Sequence, residues 1–257
     1  MRRGPLFDRV ERGARAGPVA AGPARSPRGY DRPSMLRPLP FVLLVAVVAA
    51  GCGGGDESGG GGEDSGETAA AQSSAGCRTV EAPAAEERTA PKPTTRLDPS
   101  KRYRLTLHTN CGSFTILLDV KGAPTTSASL VSLARRGYFD DTVFHRIVPE
   151  FVIQGGDPTA SGSGGPGYRT VDKPAASAAY THGVVAMAKT QAEPAGTSGS
   201  QFFVVTADDA GLPPDYAIVG KVTKGLGVVD RIGRLGGADE QPTQTVEIEK
   251  ATVGVSG

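Results

Sequence analysis

Alternating apolar and polar residues predict a series of short strands after residue 100. Residues 102–110 alternate as a half-buried strand does, and after a Cys-Gly turn residues 113–119 form the return strand of a hairpin. Further short strands are predicted at 143–147, 151–154, 183–188, 201–206, 217–224 and 246–253. Many short strands joined by Gly- and Pro-rich connections indicate a mainly β sandwich or barrel.

Two segments have helical spacing instead. The first begins at Ala123-Pro124, where proline suits the first turn of a helix, and ends at Gly137. Its apolar residues recur as on one face of a helix, at Leu130, Val131, Leu133 and Ala134. A second, shorter helix is predicted at 227–232, so the sheet is expected to carry two helices.

An uninterrupted apolar run occupies residues 41–50. As a helix it would rise only about 15 Å, half of a bilayer core of about 30 Å, which is typical of a signal peptide and too short for a membrane span. The sequence Ala49-Ala50-Gly51-Cys52 then resembles a bacterial lipobox. It predicts that Cys52 carries diacylglycerol and anchors the chain to the outer face of the cell membrane. An ordinary secretory signal with an incidental cysteine is the alternative.

The residues before this run are unusual for a signal peptide, which normally starts close to its apolar core. A translation start at Met35 would leave a short, positively charged stretch before the run. The alternative is that residues 1–34 form a genuine Arg-rich extension.

Composition divides the chain into three predicted parts. Residues 1–51 hold the extension and signal peptide and have a net charge of +6; residues 52–95 form a Gly/Ser/acidic linker with a net charge of −5. The linker lacks apolar periodicity, so we expect a flexible tether. Residues 96–257 form the folded domain, with 16 basic and 16 acidic residues. This balance gives no electrostatic case for nucleic acid as the partner.

Three cysteines occur in the chain. With Cys52 lipidated, Cys77 and Cys111 remain in an oxidising exterior, which predicts a disulfide between them. Two free thiols are the alternative. Neither cysteine has histidine or carboxylate neighbours at metal-ligand spacing, and no cofactor site is predicted.

The densest chemistry lies in residues 143–157, where a cation, an aromatic ring and an amide occur within nine residues as Arg146, Phe151 and Gln154. About fifty residues later, 199–205 repeats an amide followed by aromatic rings. The two stretches resemble the cyclophilin family of peptidyl-prolyl cis/trans isomerases, and the similarity runs from about Tyr103 to the C-terminus. The resemblance implies an eight-stranded antiparallel barrel capped by two helices, with an active groove on its outer face.

The resemblance also implies which residues form the site. Arg146, Phe151 and Gln154 match the catalytic group. The matching substrate-binding positions are Val152, Ala188, Lys189, Gln201, Phe203, Leu212 and Tyr216. Tyr216 stands where many members have histidine, and Gly211 where many have the tryptophan that contacts cyclosporin. Strand alternation turns Phe202 away from Phe203, and His145 away from Arg146, so His145 is expected to be a structural, hydrogen-bonded residue.

An arginine in an apolar groove suits rotation about an X-Pro bond. The barrier is amide resonance of about 18–20 kcal/mol, and uncatalysed exchange takes tens to hundreds of seconds. As the bond twists, the prolyl nitrogen regains a lone pair. A donor aimed at that nitrogen stabilises the twisted state more than either planar state. Arginine is always charged and carries five donors in a planar fork.

The sequence therefore predicts a peptidyl-prolyl isomerase that acts on exported or envelope proteins. Its expected partners are proline-containing segments of those proteins, and it contacts the membrane only through the lipid. It is expected to be a monomer. One alternative is a binding module whose groove holds such segments without turnover. A structural lipoprotein with a dead fold agrees poorly with the intact motif.

Overall fold

Eleven strands and two helices follow one another in the part of the chain that the computed structural model describes, residues 76–257. They are β1 (Arg102–Thr109), β2 (Gly112–Leu118), α1 (Pro124–Arg135), β3 (Thr142–Val143), β4 (Arg146–Val148), β5 (Val152–Gly155), β6 (Thr170–Val171), β7 (Val184–Met187), β8 (Thr197–Ser198), β9 (Phe202–Val205), β10 (Ile218–Lys224), α2 (Leu226–Gly233) and β11 (Glu247–Ser256). None of the helices in this part is both long and apolar enough to cross a membrane.

Nine of the strands form one antiparallel sheet in the order β3-β11-β1-β2-β10-β7-β9-β5-β4. Its two edges, β3 and β4, are consecutive in the chain, where a single strand was predicted at 143–147. The chain changes partner there: Phe144 N still donates to Val246 O beside β11, whereas Arg146 pairs with Gln154 of β5. Counted as one interrupted strand, β3 and β4 close the sheet. The predicted eight-stranded cyclophilin-like barrel with two helices is thereby confirmed.

The barrel interior is filled by side chains that alternate along the strands. On β1 the inward residues are Tyr103, Leu105 and Leu107, each of which is buried. Four aromatic rings meet in this interior: Phe114, Phe139, Phe144 and Phe202. They make three edge-to-face or tilted contacts with ring centroids 6.0–6.4 Å apart. Each large apolar side chain buried this way contributes about 1.5–3 kcal/mol to folding.

The small sheet β6-β8 was not predicted. Each of its strands has two residues, which is too short for a period of two to be visible in the sequence. Its role is to place β6 against the start of α1, where the Thr126 backbone N–H donates to Asp172 Oδ2 at 2.6 Å. This bond satisfies one of the free N–H groups of the first helical turn.

An N-terminal strap, defined here as residues 76–97, lies against the domain. Cys77 and Cys111 form a disulfide bond, and Arg78 N donates to Asn110 O at 2.8 Å. Arg88 is anchored further along by hydrogen bonds to two backbone carbonyls. The prediction of a flexible linker is therefore wrong for residues 76–95, because a disulfide, hydrogen bonds and the packing of Cys77 and Ala90 against the core hold the strap. Cys52, the signal peptide and the rest of the predicted linker lie outside the described residues.

Candidate active site

One row of residues runs across four neighbouring strands on the outer face of the barrel. The register pairs Arg146 of β4 with Gln154 of β5, Gln154 with Phe203 of β9, and Phe203 with Ala186 of β7. Since alternate residues of a strand face opposite sides, the neighbouring row, which contains Ile147, points into the barrel and is fully buried. Strand pairing thus brings the predicted arginine, amide and aromatic side chains together.

These side chains border a cavity of about 170 Å³. Its lining consists of Arg146, Phe151, Val152, Gln154, Ala188, Lys189, Phe203, Leu212 and Tyr216. All nine were predicted as site residues. Gln201, the other predicted wall residue, borders a neighbouring cavity together with Gly162, Ser163 and Gly164. As alternation predicted, Phe203 packs under the outer groove while Phe202 packs in the barrel interior.

A line of polar contacts fixes the arginine. Arg146 Nε donates to Glu240 Oε2 at 2.7 Å, and one Arg146 Nη donates to Gln154 Oε1 at 3.4 Å. Gln154 Nε2 in turn donates to Gln201 Oε1 at 3.0 Å. About a third of the Arg146 side chain stays exposed, at 32%. The guanidinium is therefore oriented by two partners and still keeps N–H groups free for a ligand in the groove.

The apolar wall is a cluster of three aromatic rings. Phe203 and Tyr216 meet edge to face with centroids 5.6 Å apart, and Tyr180 packs beneath both. The Tyr180 hydroxyl accepts from Tyr216 N at 3.0 Å and donates to Tyr216 O at 2.7 Å. Burial raises the pKa of Tyr180, so the hydroxyl keeps the proton that it donates. Tyr180 thereby fixes the backbone that carries Tyr216.

Lys189 does not present its ammonium to the groove. Its side chain is only 2% exposed, and Nζ lies 2.5 Å from Asp215 Oδ2. Nζ also donates to the Glu193 carbonyl at 3.1 Å and lies 5.4 Å from the centre of the Tyr216 ring. This buried cation therefore joins the segment after β7 to the segment that carries Tyr216.

His145 is buried, and neither ring nitrogen has a hydrogen-bond partner among the described residues. The expectation of a hydrogen-bonded histidine is wrong on this point. Burial lowers the pKa of His145; Arg146 beside it lowers it further, while Asp157 opposes both. The ring is consequently neutral near pH 7. It lies close to Gly162 in the loop that follows β5.

That loop, called here the glycine-rich loop (residues 157–167), is organised by Asp157. The carboxylate accepts hydrogen bonds from Thr159 N and Oγ1 and from Gly164 N, at 2.7–3.0 Å. Although burial raises the pKa of Asp157, these hydrogen bonds outweigh it and leave the pKa below its usual value. Gly164 O accepts from Gln201 Nε2 at 3.0 Å, which links the loop to the polar line of the groove.

Three contributors to the site were not predicted: Tyr180, Asp215 and Glu240. Glu240 is 94 residues from Arg146 in the chain, and nothing in its local sequence marks it as a partner. It has a left-handed backbone (φ 65°), held by hydrogen bonds from Glu240 N to Gly237 O and from Ile147 N to Glu240 O. Residues 76–257 contain no cluster of three or more histidine, cysteine or carboxylate groups that could hold a metal.

A model of the family described as cyclophilin type peptidyl-prolyl cis-trans isomerase/CLD matches residues 104–253, more than half of the chain. The chain belongs to this family. Peptidyl-prolyl cis-trans isomerase-like 1 of Gibberella zeae is 40% identical over 154 residues, 58% of this chain and 93% of that protein. The Homo sapiens protein of the same name is 39% identical over 150 residues, 56% of this chain and 89% of that one.

Solved cyclophilin structures are also similar to this chain. A cyclophilin type peptidyl-prolyl cis-trans isomerase of Cryptosporidium parvum has a TM-score of 0.56 at 27% identity, covering 61% of this chain and 99% of that one. The same protein in the presence of the dipeptide Ala-Pro has a TM-score of 0.55 at 28% identity, with 60% and 99% covered. The chain is therefore a cyclophilin-type peptidyl-prolyl cis-trans isomerase.

Replacing the buried lysine tests its role in this cyclophilin. Lys189→Met keeps the approximate length of the side chain but leaves the partly exposed Asp215 and two backbone carbonyls without their donor. We expect the free energy of unfolding to fall by about 1–2 kcal/mol, measured by urea denaturation. The exposed Lys224→Met is the matched control and should change it by less than about 0.5 kcal/mol. Equal effects from the two substitutions would contradict the account of Lys189.

The buried histidine predicts a pH dependence of stability. Because the pKa of His145 is lower in the folded chain than its unfolded value of about 6.5, acidification protonates the unfolded chain first. The free energy of unfolding should therefore fall as the pH drops from about 7 toward 5. Urea denaturation across that range should show a smaller fall for His145→Leu, since His108 and His182 are common to both proteins. If the free energy of unfolding fell equally with pH in both proteins, His145 would not be the source of the pH dependence.

Proposed function

We propose that this cyclophilin accelerates X-Pro rotation in exported or envelope proteins, with Arg146 as the group that stabilises the twisted bond. The observation that carries the proposal is the position of the partly exposed Arg146 side chain, which borders the same cavity as the apolar side chains of the groove. A proline ring seated against Phe151, Phe203 and Leu212 would bring its amide nitrogen toward Arg146. The cavity provides apolar surface for the ring, and the arginine provides the donor for the nitrogen.

The contacts of Arg146 suit this role. Glu240 engages Nε and Gln154 engages one Nη group, so the plane of the guanidinium is set before a substrate arrives. A donor oriented in advance needs no reorganisation as the amide twists, which is the condition for electrostatic catalysis. An acceleration of about 10⁵-fold corresponds to about 7 kcal/mol. One charged hydrogen bond, desolvation and fixation of the ring can share that amount.

We propose further that the chain is exported and anchored through Cys52. The support comes from the sequence: the apolar run at 41–50, the lipobox-like Ala49–Cys52, and the Gly/Ser-rich residues that follow. The Cys77–Cys111 disulfide agrees with an oxidising compartment. The relatives named above are eukaryotic proteins and carry no information on this point. In this proposal Pro-containing segments of exported proteins are the substrates, and the enzyme acts as a monomer.

Substituting the arginine tests the chemistry. In a protease-coupled assay on an Ala-Pro peptide, Arg146→Ala should lower kcat/KM by about 100-fold or more, because a donor to the twisted amide is lost. Arg146→Lys should retain part of the rate, since it keeps the charge without the planar fork. The exposed Arg234→Ala serves as the control for loss of a cation and should leave the rate unchanged. A folded Arg146→Ala variant with full activity would contradict the proposed role of the arginine. An inactive wild type would favour a binding module.

Substituting Cys52 tests the location. When the full chain is expressed in a bacterium that modifies lipoproteins, we expect it in the membrane fraction with incorporated radioactive palmitate. Cys52→Ser should be unlabelled and appear in the soluble extracytoplasmic fraction. Cys77→Ser is the control, because it also removes a cysteine but leaves the lipobox intact. An unlabelled, soluble wild type would contradict the anchor.

A further inference from the structure

The N-terminal strap is an addition to the cyclophilin domain. It ends at residue 97, before residues 104–253 that match the family. The Cryptosporidium parvum cyclophilin is covered over 99% of its length by 61% of this chain. The residues that match the family therefore do not include the strap, and its ordered contacts with the domain call for a separate explanation.

The strap is held at two points. The Cys77–Cys111 disulfide joins its start to the turn between β1 and β2. Eleven residues on, one Nη group of Arg88 donates to Tyr138 O at 3.0 Å and to Asp140 O at 2.6 Å. The Arg88 side chain is 20% exposed, and its Nε pairs with Glu86 Oε2 at 3.0 Å. An arginine that satisfies two carbonyls at once is a strong anchor for a segment without regular structure.

Other residues of the strap donate hydrogen bonds to the glycine-rich loop and to Arg169, which follows the loop in the chain. Glu86 N donates to Pro158 O at 3.0 Å, and Ala90 N donates to Pro166 O at 3.1 Å. Lys92 Nζ donates to Arg169 O at 2.8 Å. Both ends of the loop are thus tied to the strap. A glycine-rich segment loses much conformational entropy when it becomes ordered, so such ties restrict it effectively.

The loop is in turn connected to the catalytic arginine. Gly164 O accepts from Gln201 Nε2, Gln201 Oε1 accepts from Gln154 Nε2, and Gln154 Oε1 accepts from Arg146. Each amide side chain in this line donates to one neighbour and accepts from the other, so its orientation depends on both. A displaced loop would release Gln201 first and then loosen the support of Gln154 for Arg146.

We propose that the strap is a positioning element of the active site. It restrains the glycine-rich loop, and through Gln201 and Gln154 it fixes Arg146; the disulfide is its clasp. Arg88 is a positioning residue that touches no substrate. The inference rests on the isomerase activity of the groove. If the disulfide is the clasp, the groove is sensitive to reduction of Cys77–Cys111. In that reaction a dithiol reductant supplies two electrons and two protons, and the disulfide becomes two thiols.

Arg88→Met tests the proposal in the full chain. Hydrogen exchange followed by mass spectrometry should show amides of residues 157–167 exchanging about tenfold faster, because the loop loses its restraint. For an Ala-Pro peptide, kcat/KM should fall about 3- to 10-fold. Arg88→Lys keeps a donor for the two carbonyls and should restore most of both values. Arg96→Met is the matched control, an exposed cation of the same strap with no side-chain partner among the described residues, and should change neither.

Exchange in β1 and β2 reports whether the barrel of the variant is intact. Faster loop exchange with unchanged kcat/KM in an intact barrel would overturn the proposal, and so would unchanged loop exchange. If Arg88→Met fails to fold, the same two measurements are made on the wild type with and without dithiothreitol. The double variant Cys77→Ser/Cys111→Ser is the control, because it has no Cys77–Cys111 disulfide for the reductant to break. Faster loop exchange and lower kcat/KM on reduction support the proposal, and no change overturns it. An inactive wild type would be apparent before any variant was compared.

Discussion

The structure depends on one register, the antiparallel pairing of β4, β5, β9 and β7. It aligns Arg146, Gln154, Phe203 and Ala186 in a row on the outer face and their neighbours in the interior. A shift of one residue would turn the arginine into the barrel and an isoleucine onto the groove. The cost of burying an unpaired guanidinium therefore protects the geometry of the site. Fold and site are specified by the same hydrogen bonds.

Around this row the groove combines two environments with different tasks. On one side a polar line from Glu240 to Gln201 orients the guanidinium. On the other, aromatic rings supply an apolar seat, and Lys189 and Tyr180 hold the backbone behind it. The polar line stays partly exposed at Arg146, whereas Phe203 and Tyr180 of the apolar wall are buried. The mechanism proposed above uses both environments, because the twisted state of an X-Pro bond differs from its planar states mainly at the prolyl nitrogen.

How far the sequence predicts this arrangement depends on the range of each interaction. Alternation along β1 and helical spacing in α1 are local, and both elements lie where the pattern indicated. The family motif predicted that Arg146, Gln154 and Phe203 lie in the groove. Glu240 and Asp215 could not be predicted, because a salt bridge across tens of residues leaves no trace in either local sequence. The strap was missed for a related reason: its composition is that of a linker, and its order comes from a disulfide and from bonds to distant carbonyls.

The central claim is that this groove turns over X-Pro bonds, and exchange NMR on an Ala-Pro peptide tests it most directly. The spectra report cis and trans populations separately, so the rate is measured at equilibrium without a protease. With the chain at about one hundredth of the peptide concentration, we predict exchange many times per second, against tens to hundreds of seconds for the free peptide. Exchange no faster than in the free peptide, from a chain whose barrel is folded, would contradict the account.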